Sequence, residues 1–520
     1  MRVRRTRLAG LAAGTAIALG ASLVAQVPQA TAASSSDKDE RTTLMRYAKD
    51  TWRSFVAMTD EGTGLPADNI EGDLDATSRS SYTSPTNVGG YLWSTVVARD
   101  LEIISAGEAH RRMSRTLDSV AKLERHDDSG MFYNWYDPAT GEKLTTWPSS
   151  GDPVHPFLSS VDNGWMAAAL RVVSEADPSL SAQADAIYDD MDFGFYYDPN
   201  ARPDAGVGLI RGGFWDDEPP GCSTKGNYRN RGADVYYTCH HYGAFNSEPR
   251  IASYIGIANG QIPREHYFGP WRTFPASCDW SWTEMMATGE NREYFGVPVF
   301  EGAYSYRGMK IVPTWGGSMF EALMPDLFVP EAQWGPKSWG VNHPLFVQGQ
   351  IEHGMDEADY GYWGFSPASD PFAEYREYGV EPLGMDPAGY SSDRERTQVD
   401  YGYGDCREAQ PEPESYGDGV VTAHASFLAL PYATDAALDN LSRIKTELSA
   451  YGPGGFSDSV AVRSDTVADR YLSLDQAMVM AAIGNELKRD VVKRYFVDPE
   501  LEQALRPLME AEEFGAEPRQ

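Results

Sequence analysis

The stretch TWGGSMFEALMP, residues 314–325, is the part of this sequence that most clearly predicts a fold. Ser318 and Glu321 have the spacing of a capping box, in which the serine and the glutamate satisfy free backbone N–H groups at the start of a helix. The apolar residues after Ser318 favour a helix that begins there. Capping by itself explains Glu321 without any chemistry.

Helical periodicity continues outward from this stretch over most of the chain. Apolar residues recur at three- and four-residue spacing over residues 44–56, and Ser105 with Glu108 forms a second capping box. Strand-like alternation is sparse and is concentrated at residues 300–312. Further predicted helices cover residues 165–173, 251–258, 345–353, 420–430, 435–448 and 471–487. The pattern predicts a single helical domain.

The first 33 residues have the organisation of a secretory signal peptide. Arg2, Arg4, Arg5 and Arg7 precede an apolar run at residues 8–24, and small residues at 30–32 provide a cleavage site. A retained membrane anchor is the alternative reading of this segment. We therefore expect a secreted, extracellular protein that comprises residues 34–520 and is free of the membrane after cleavage.

The charge of the chain is strongly acidic. The net charge is −32, and it becomes −36 without residues 1–33, whose four charged residues are all arginines. Such a field repels nucleic acids and anionic membranes. It favours neutral partners, although a solvated acidic surface would give the same composition.

Four cysteines in an exported chain indicate disulfide bonds, for which three connectivities are possible. Cys222 and Cys239 are favoured as one pair because their short separation lets a single loop close on itself. Cys278 and Cys406 then remain as the second pair. Cys222 and Cys406 belong to two Gly- or Pro-containing segments, residues 203–234 and 391–419, that are predicted to be inserted loops.

The sequence contains none of the common cofactor signatures, neither a phosphate-binding glycine loop nor a dinucleotide fingerprint nor an HExxH or GxSxG motif. We therefore expect no cofactor and no metal, and we interpret the acidic residues 189–198 as a solvated turn rather than a calcium loop. Carboxylates and aromatic residues near helix starts remain. Glycoside hydrolysis uses a pair of carboxyl groups, and aromatic rings pack against the apolar faces of sugars.

Seven segments, in order along the chain, carry a resemblance to one family. They are SPTNVGGYLWSTVVARDLEIIS (84–105), LERHDDSGMFYNWYD (123–137), TWGGSMFEALMP (314–325), WGFSPASDP (363–371), VVTAHASFLALPYATDAALDNL (420–441), YGPGGFSDS (451–459) and YLSLDQAMVM (471–480). These segments resemble the glycoamylase-like domain of cyclic β-1,2-glucan synthases and of endo-β-1,2-glucanases of the glycoside hydrolase family 144 type. The resemblance implies an all-α fold, an (α/α)6 barrel with long loops over a cleft. It also implies an inverting, endo-acting glycoside hydrolase with an oligosaccharide or polysaccharide substrate.

The resemblance also implies the catalytic residues. Glu248 is expected to be the general acid and Asp162 the residue that orders or activates water. Each has a structural alternative, because Asp162 precedes an apolar run as a helix cap would, and a first-turn Glu248 would be stabilised by the helix dipole. Ser159 stands where those glucanases carry a further acid, which puts identical substrate specificity in doubt.

The remaining candidates are substrate-binding residues. They are Trp135, Trp315 and Trp363 for stacking on sugars, and Glu321, Asp370 and Asp458 for polar contacts. Asp370 and Asp458 are equally explained as turn formers, and Asp475 is interpreted as a buried residue that pairs helices.

Two other functions fit a helical toroid. A polysaccharide lyase would act on anionic uronates, which the acidic charge disfavours, and it would release unsaturated products. A glycan-binding protein on a degenerate barrel would bind oligosaccharides without turning them over.

Overall fold

A computed structural model describes residues 35–274, 285–372, 375–385 and 417–520. Helices dominate these residues, as the periodicity predicts. They are α1 (Ser35–Met58), α2 (Pro85–Asp100), α3 (Ala106–Val120), α4 (Ser160–Ala176), α5 (Ser181–Tyr188), α6 (Arg250–Ala258), α7 (Met319–Leu323), α8 (Glu331–Trp334), α9 (Trp339–Glu352), α10 (Ala423–Leu428), α11 (Leu430–Glu447), α12 (Ser473–Lys488), α13 (Val491–Phe496) and α14 (Pro499–Ala511).

Four of these helices pack side by side through small residues. A Cβ on Gly89 of α2 would lie 3.0 Å from the Trp165 carbonyl of α4, and one on Gly90 would lie 2.7 Å from Ala477 of α12. Gly164 of α4 makes the same kind of close approach to α6. The run α12, α2, α4 and α6 is largely buried. A helix that is apolar on all sides is expected in such an interior position.

Short strands connect the helices and form small sheets. The all-α class predicted from the sequence is therefore corrected to a helix-rich fold with small sheets. The strands that the structure describes pair antiparallel, and many are only two to four residues long, too short for alternation to reveal them. They are β1 (Asn69–Glu71), β2 (Phe157–Ser159), β3 (Tyr197–Arg202), β4 (Val207–Ile210), β5 (Gly213–Trp215), β6 (Ser223–Gly226), β7 (Val235–Thr238), β8 (Thr288–Tyr294), β9 (Val297–Tyr306), β10 (Met309–Ile311), β11 (Ala368–Ser369), β12 (Tyr375–Arg376), β13 (Val420–Val421), β14 (Tyr451–Gly452), β15 (Gly455–Phe456), β16 (Ser459–Ala461), β17 (Thr466–Ala468) and β18 (Arg470–Leu472).

Two strand pairings matter for the position of the cleft. β1 pairs with β18, with Asn69 opposite Leu472, and this pairing joins the start of the domain to its end. The four-stranded sheet has the order β2-β5-β7-β6, and β2 leads directly into α4. The segment 203–234 is therefore not a plain loop, because β4, β5 and β6 lie within it.

The predicted Cys222–Cys239 disulfide is present and closes the β6–β7 hairpin. Cys278 and Cys406 lie outside the described residues, as do the predicted signal peptide and most of the predicted loop at 391–419. Within the described part of the chain, no helix combines the length and the apolar character needed to cross a membrane.

Candidate active site

A cleft with a volume of about 910 Å³ opens where the N-terminal ends of five helices meet. Its lining includes residues in, or directly before, the first turns of α2, α4, α6, α7 and α12. Helix N-termini carry partial positive charge and favour negative groups nearby. The cleft therefore concentrates carboxyl groups, and both Asp162 and Glu248 line it.

Glu248 lies two residues before α6, which begins at Arg250 rather than enclosing Glu248 in its first turn. Ser247 does not cap this helix, because its hydroxyl donates to the Ala244 carbonyl. The indole N–H of Trp165 donates to Glu248 Oε1 at 2.5 Å. Burial, and then the neighbouring Glu321 carboxylate, raise the pKa of Glu248 well above its usual range. Both effects favour the protonated form of Glu248, whereas a helix N-terminus nearby favours the ionised form.

The backbone of Glu321 takes part in the helix cap and its carboxylate contacts Glu248, whereas its contact with a sugar stays a prediction. Ser318 Oγ accepts a hydrogen bond from the Glu321 backbone N–H at 3.2 Å, which confirms the cap at the start of α7. The Glu321 carboxylate accepts from the Glu248 backbone N–H at 2.6 Å and also lines the cleft. Gly317 has a φ of +75°, and a Cβ there would lie 2.0 Å from the Val380 carbonyl, which explains the glycine before Ser318.

Asp162 lies in the first turn of α4 without capping it. Ser159 is the N-cap, and its hydroxyl accepts from the Asp162 N–H at 3.2 Å. The Asp162 carboxylate instead accepts from Thr86 Oγ1 at 2.6 Å and from Asn134 Nδ2 at 2.9 Å. These two bonds fix its orientation in the cleft.

Aromatic rings form a wall of the same cleft. Trp135 packs against Trp147 with ring centroids 5.7 Å apart, and Tyr82 meets both rings edge-on. Trp315 lines the cleft from the loop before α7. The neighbours of Trp135 in the run 132–136 have other roles, because Phe132 and Tyr136 are fully buried in the core.

Trp363 was predicted to stack on sugars, and the structure corrects this prediction. Its side chain is 2% exposed within the hydrophobic core, and its backbone pairs with the Asn440 side chain. An aromatic run such as residues 360–365 does not reveal from the sequence which of its rings face solvent.

Asp370 and Asp458 lie behind the cleft wall rather than among its lining residues. Asp370 pairs with Arg376 at 2.8 Å, and Asp458 Oδ2 accepts from the Ser369 N–H at 2.6 Å. Both carboxyl groups are buried. Because Ser369 lines the cleft, these residues hold a wall segment in place, and their contact with a ligand stays a prediction.

Several cleft residues were missed by the sequence analysis. Asp68 lines the cleft and accepts from Asn87 Nδ2 at 2.8 Å, and burial raises the pKa of its carboxyl. Trp147, Tyr242 and Glu377 line it as well. Asp68 is in a loop without helical periodicity, and it reaches the cleft through the β1–β18 pairing, which no local pattern predicts.

A second lobe of about 660 Å³ continues from this cleft. Tyr242, Trp315, Glu321 and Glu377 line both spaces. Within the described residues, the charged groups that line the main cleft comprise five carboxyl groups and the guanidinium of Arg470.

One group of residues outside the cleft has the composition of a metal site. Asp326, Glu331 and His343 offer ligand atoms within 4.8 Å of one another. Arg250 donates to both carboxylate oxygens of Glu331, at 2.7 and 2.9 Å, so the charge of that carboxylate is already balanced. The acidic residues near 189–198 are similarly paired, with Asp192 bound to Arg229 and Asp198 to Arg211.

Fold and site define a class of protein, a helix-rich domain in which carboxyl groups and aromatic rings share one broad cleft. Comparison with known families narrows this class. Residues 281–499 match the glycoamylase family model, described as "Putative glucoamylase", and residues 46–195 match a model of a protein family of unknown function, DUF3131. The resemblance indicated by the motifs is thus confirmed, with the match to this family model over residues 281–499.

Relatives in sequence and in structure agree with this assignment. The cyclic β-(1,2)-glucan synthase NdvB of Rhizobium meliloti is 23% identical over 89% of this chain, which spans 18% of the length of that relative. An endo-β-1,2-glucanase from Chitinophaga pinensis, solved with sophorotriose and glucose, superposes with a TM-score of 0.60 at 15% identity and covers 90% of this chain and 98% of its own. An endo-β-1,2-glucanase from Talaromyces funiculosus, solved with sophorose, has a TM-score of 0.56 at 12% identity over 91% of each chain. These similarities show a shared fold.

Proposed function

We propose that this protein is a glycoside hydrolase that cleaves a neutral β-glucan, with β-1,2-glucan as its substrate and attack within the chain. One observation carries the proposal. A buried glutamate, Glu248, has its pKa raised by burial and by Glu321, and it shares a cleft with the oriented carboxylate of Asp162. A carboxyl group whose surroundings favour its protonated form, and a second carboxyl group held in a fixed orientation, are what glycoside hydrolysis needs in one cleft.

Glu248 is assigned as the general acid. Its proton passes to the glycosidic oxygen as the bond to the anomeric carbon breaks, so the leaving sugar departs as a neutral alcohol. The Trp165 N–H then stabilises the carboxylate that remains, since it already donates to Glu248 Oε1. Glu321 opposes ionisation of Glu248 before the reaction and so keeps the proton available.

Asp162 is assigned as the base that directs water to the anomeric carbon. Thr86 and Asn134 hold its carboxylate by donating one hydrogen bond to each oxygen. We infer an inverting reaction, for which the acid and base are about 6.5–9.5 Å apart to leave room for water. A chain of waters would lengthen this separation without changing the roles.

The cleft favours a neutral, extended ligand. Among the described residues, the lining holds four carboxyl groups besides the proposed acid and one guanidinium, a balance that disfavours a polyuronate and argues against the lyase alternative. Trp135, Trp147 and Trp315 offer apolar faces to successive sugar rings. The lobe that continues past Trp315 and Glu321 supports an interior position of the scissile bond, with sugar bound on both sides.

We further propose that residues 34–520 form one (α/α)6 barrel and that the protein is secreted. The buried helices α12, α2, α4 and α6, whose starts surround the cleft, support an inner ring of helices. One hydrophobic core that extends from Leu44 to Ala516 supports a single domain. The disulfide supports an oxidising, extracellular location.

The test is a panel of polysaccharides with product analysis, including linear and cyclic β-1,2-glucans, β-1,3-glucan, β-1,4-glucan and a polyuronate. We expect oligosaccharides from linear β-1,2-glucan with wild-type protein. Glu248→Gln should lower the rate by at least about a hundredfold, because the amide has no proton to transfer. Glu175→Gln, at an exposed position of α4, serves as the matched control and should retain the rate.

The alternatives predict different results in the same panel. Unsaturated products from the polyuronate would identify a lyase. Binding of a glucan without products after long incubation would identify a glycan-binding protein. Near-native turnover by folded Glu248→Gln would refute the assignment of the acid.

A further inference from the structure

Arg250, two residues after Glu248, is a buried arginine whose five N–H groups are all engaged. Nε and Nη2 donate to the two oxygens of Glu331 at 2.7 and 2.9 Å. The remaining bonds go to backbone carbonyls. Nη1 donates to Ser247 and to Glu321, each at 2.8 Å, and Nη2 donates to Ala322 at 2.6 Å. The guanidinium thus fills its complete donor capacity.

The three carbonyls belong to two separate segments of the chain. Ser247 precedes the proposed acid, and Glu321 and Ala322 form the first turn of α7. The same two segments meet again where the Glu248 N–H donates to the Glu321 carboxylate. Arg250 therefore fixes the backbone on both sides of the Glu248–Glu321 contact.

Glu331 fixes Arg250 in turn. Its side chain is fully buried, and it also accepts from the Tyr254 hydroxyl at 2.7 Å and pairs with His343 Nε2 at 3.0 Å. The Arg250 guanidinium holds the pKa of Glu331 down to about 2. The Glu331 carboxylate that anchors Arg250 is therefore ionised over the whole pH range of an activity assay. A lysine could supply the charge but neither the planar fork nor five donors.

We propose that Arg250 is the positioning residue that holds Glu248 and Glu321 against each other, and that this contact sets how readily Glu248 releases its proton. The inference rests on the proposed role of Glu248 as the acid. If the segments separate, the repulsion by Glu321 weakens and Glu248 ionises at lower pH.

The test is Arg250→Lys, which keeps the positive charge and removes the fork. We expect kcat on β-1,2-glucan to fall roughly tenfold to a hundredfold, since displacing a catalytic group by about 1 Å has effects of this size. KM should change by less than about threefold, because the sugar-contacting rings are untouched. The basic limb of the pH profile of kcat should move to lower pH.

Arg272→Lys is the matched control. Arg272 is also fully buried and pairs with Glu512. Its guanidinium stacks on Phe245, 3.6 Å from the ring centroid, but its hydrogen bonds go to Glu512, Pro270 and Tyr267 rather than to the backbone carbonyls that Arg250 holds. We expect Arg272→Lys to lower the melting temperature while leaving the pH profile of kcat in place. If Arg250→Lys behaves in the same way, Arg250 is merely structural and the inference is wrong.

Glu331→Gln provides a second variant should Arg250→Lys fold poorly. It retains Arg250 with its three carbonyl bonds and weakens the anchor, together with the contacts of Glu331 to Tyr254 and His343. A smaller shift of the basic limb in the same direction supports the inference, and an unchanged limb in this folded variant contradicts it.

A measurement without substrate separates this inference from the proposed function. Trp165 donates to Glu248, so its fluorescence should report the ionisation of Glu248. The difference titration between each protein and its Glu248→Gln counterpart isolates this signal. A lower midpoint in Arg250→Lys supports positioning even if no glucan is cleaved, and an identical midpoint refutes it.

Discussion

At the scale of single residues, Ser159 and Asp162 divide two roles that the sequence could assign to one aspartate. Ser159 caps α4, so the Asp162 carboxylate is released from capping and is held by Thr86 and Asn134 instead. A carboxylate that is oriented by two donors and faces a cleft is suited to direct a water molecule. The capping alternative for Asp162 is therefore wrong, and its catalytic role stays a prediction.

We predict that Asp162→Asn lowers kcat by at least about a hundredfold while the protein stays folded. The amide is almost the same size as the carboxylate, but it cannot accept a proton from water. Initial rates on β-1,2-glucan and a thermal unfolding curve would measure the two effects.

Asp177→Asn is the matched control, because Asp177 terminates the same helix and pairs with His110 at 2.9 Å. It should retain kcat. If Asp162→Asn loses stability but keeps its rate, the base is another group, and Asp68 is the next carboxyl group to replace.

At the scale of elements, capping chemistry made the helices predictable. The Ser105 and Ser318 caps lie where the sequence indicates, because each depends on residues only three positions apart. The two-to-four-residue strands could not be predicted, since their partners are distant. Thus β1 pairs with β18, about 400 positions along the chain.

The contrast between local and long-range signals also explains which residues of the candidate site could be predicted from the sequence. Asp162, Glu248 and Glu321 adjoin helix starts that motifs identify, and all three line the cleft. Asp68 and Trp147 reach the cleft from loops, through contacts that only the folded chain defines. Trp363 was wrongly chosen because an aromatic residue in a motif is equally suited to the core.

The β6–β7 hairpin provides a prediction at this scale. Its disulfide joins two cysteines that are 17 positions apart in the sequence. Cys239 directly precedes His240, which lines the second lobe of the cleft. Replacing both Cys222 and Cys239 by serine should destabilise the protein by about 2–4 kcal/mol. KM should rise more than kcat falls, because the hairpin borders the ligand and not the acid.

Denaturant unfolding of the wild type with and without a reductant, beside the double variant, would test this expectation. Ser223→Ala is the control, because it changes a residue of β6 next to Cys222 and leaves the disulfide intact. Equal unfolding midpoints for the double variant and the wild type with its disulfide intact would contradict it.

At the scale of the whole molecule, the site is assembled from the entire chain. Asp162 lies within the match at residues 46–195, Glu321 within the match at 281–499, and Glu248 between the two. The continuous core that joins these regions explains how they cooperate. Neither family segment by itself contains the proposed acid, so we do not expect either one to be active alone.

The acidic composition of the molecule has a further consequence for its stability. Several buried carboxyl groups have raised pKa values, so the folded protein binds protons that the unfolded chain has lost at neutral pH. Glu301 is the clearest case outside the cleft. It is 1% exposed, and burial together with the neighbouring Glu512 raises its pKa to about 8.

The sign of the effect follows from linkage. Glu301 ionises near its ordinary pKa of about 4.5 in the unfolded chain but only near 8 in the folded one, so the stability it provides is complete below pH 4.5 and is lost as pH rises to 8. The loss is on the order of 5 kcal/mol. We predict that the melting temperature falls between pH 5 and 8, and that Glu301→Gln, which cannot ionise, makes this fall shallower and is more stable than the wild type above pH 8.

Glu290→Gln is the control, because Glu290 pairs with Glu301 across β8 and β9 but its side chain is 81% exposed. It should retain the wild-type slope, and parallel pH profiles for wild type and Glu301→Gln would show that Glu301 does not govern the loss.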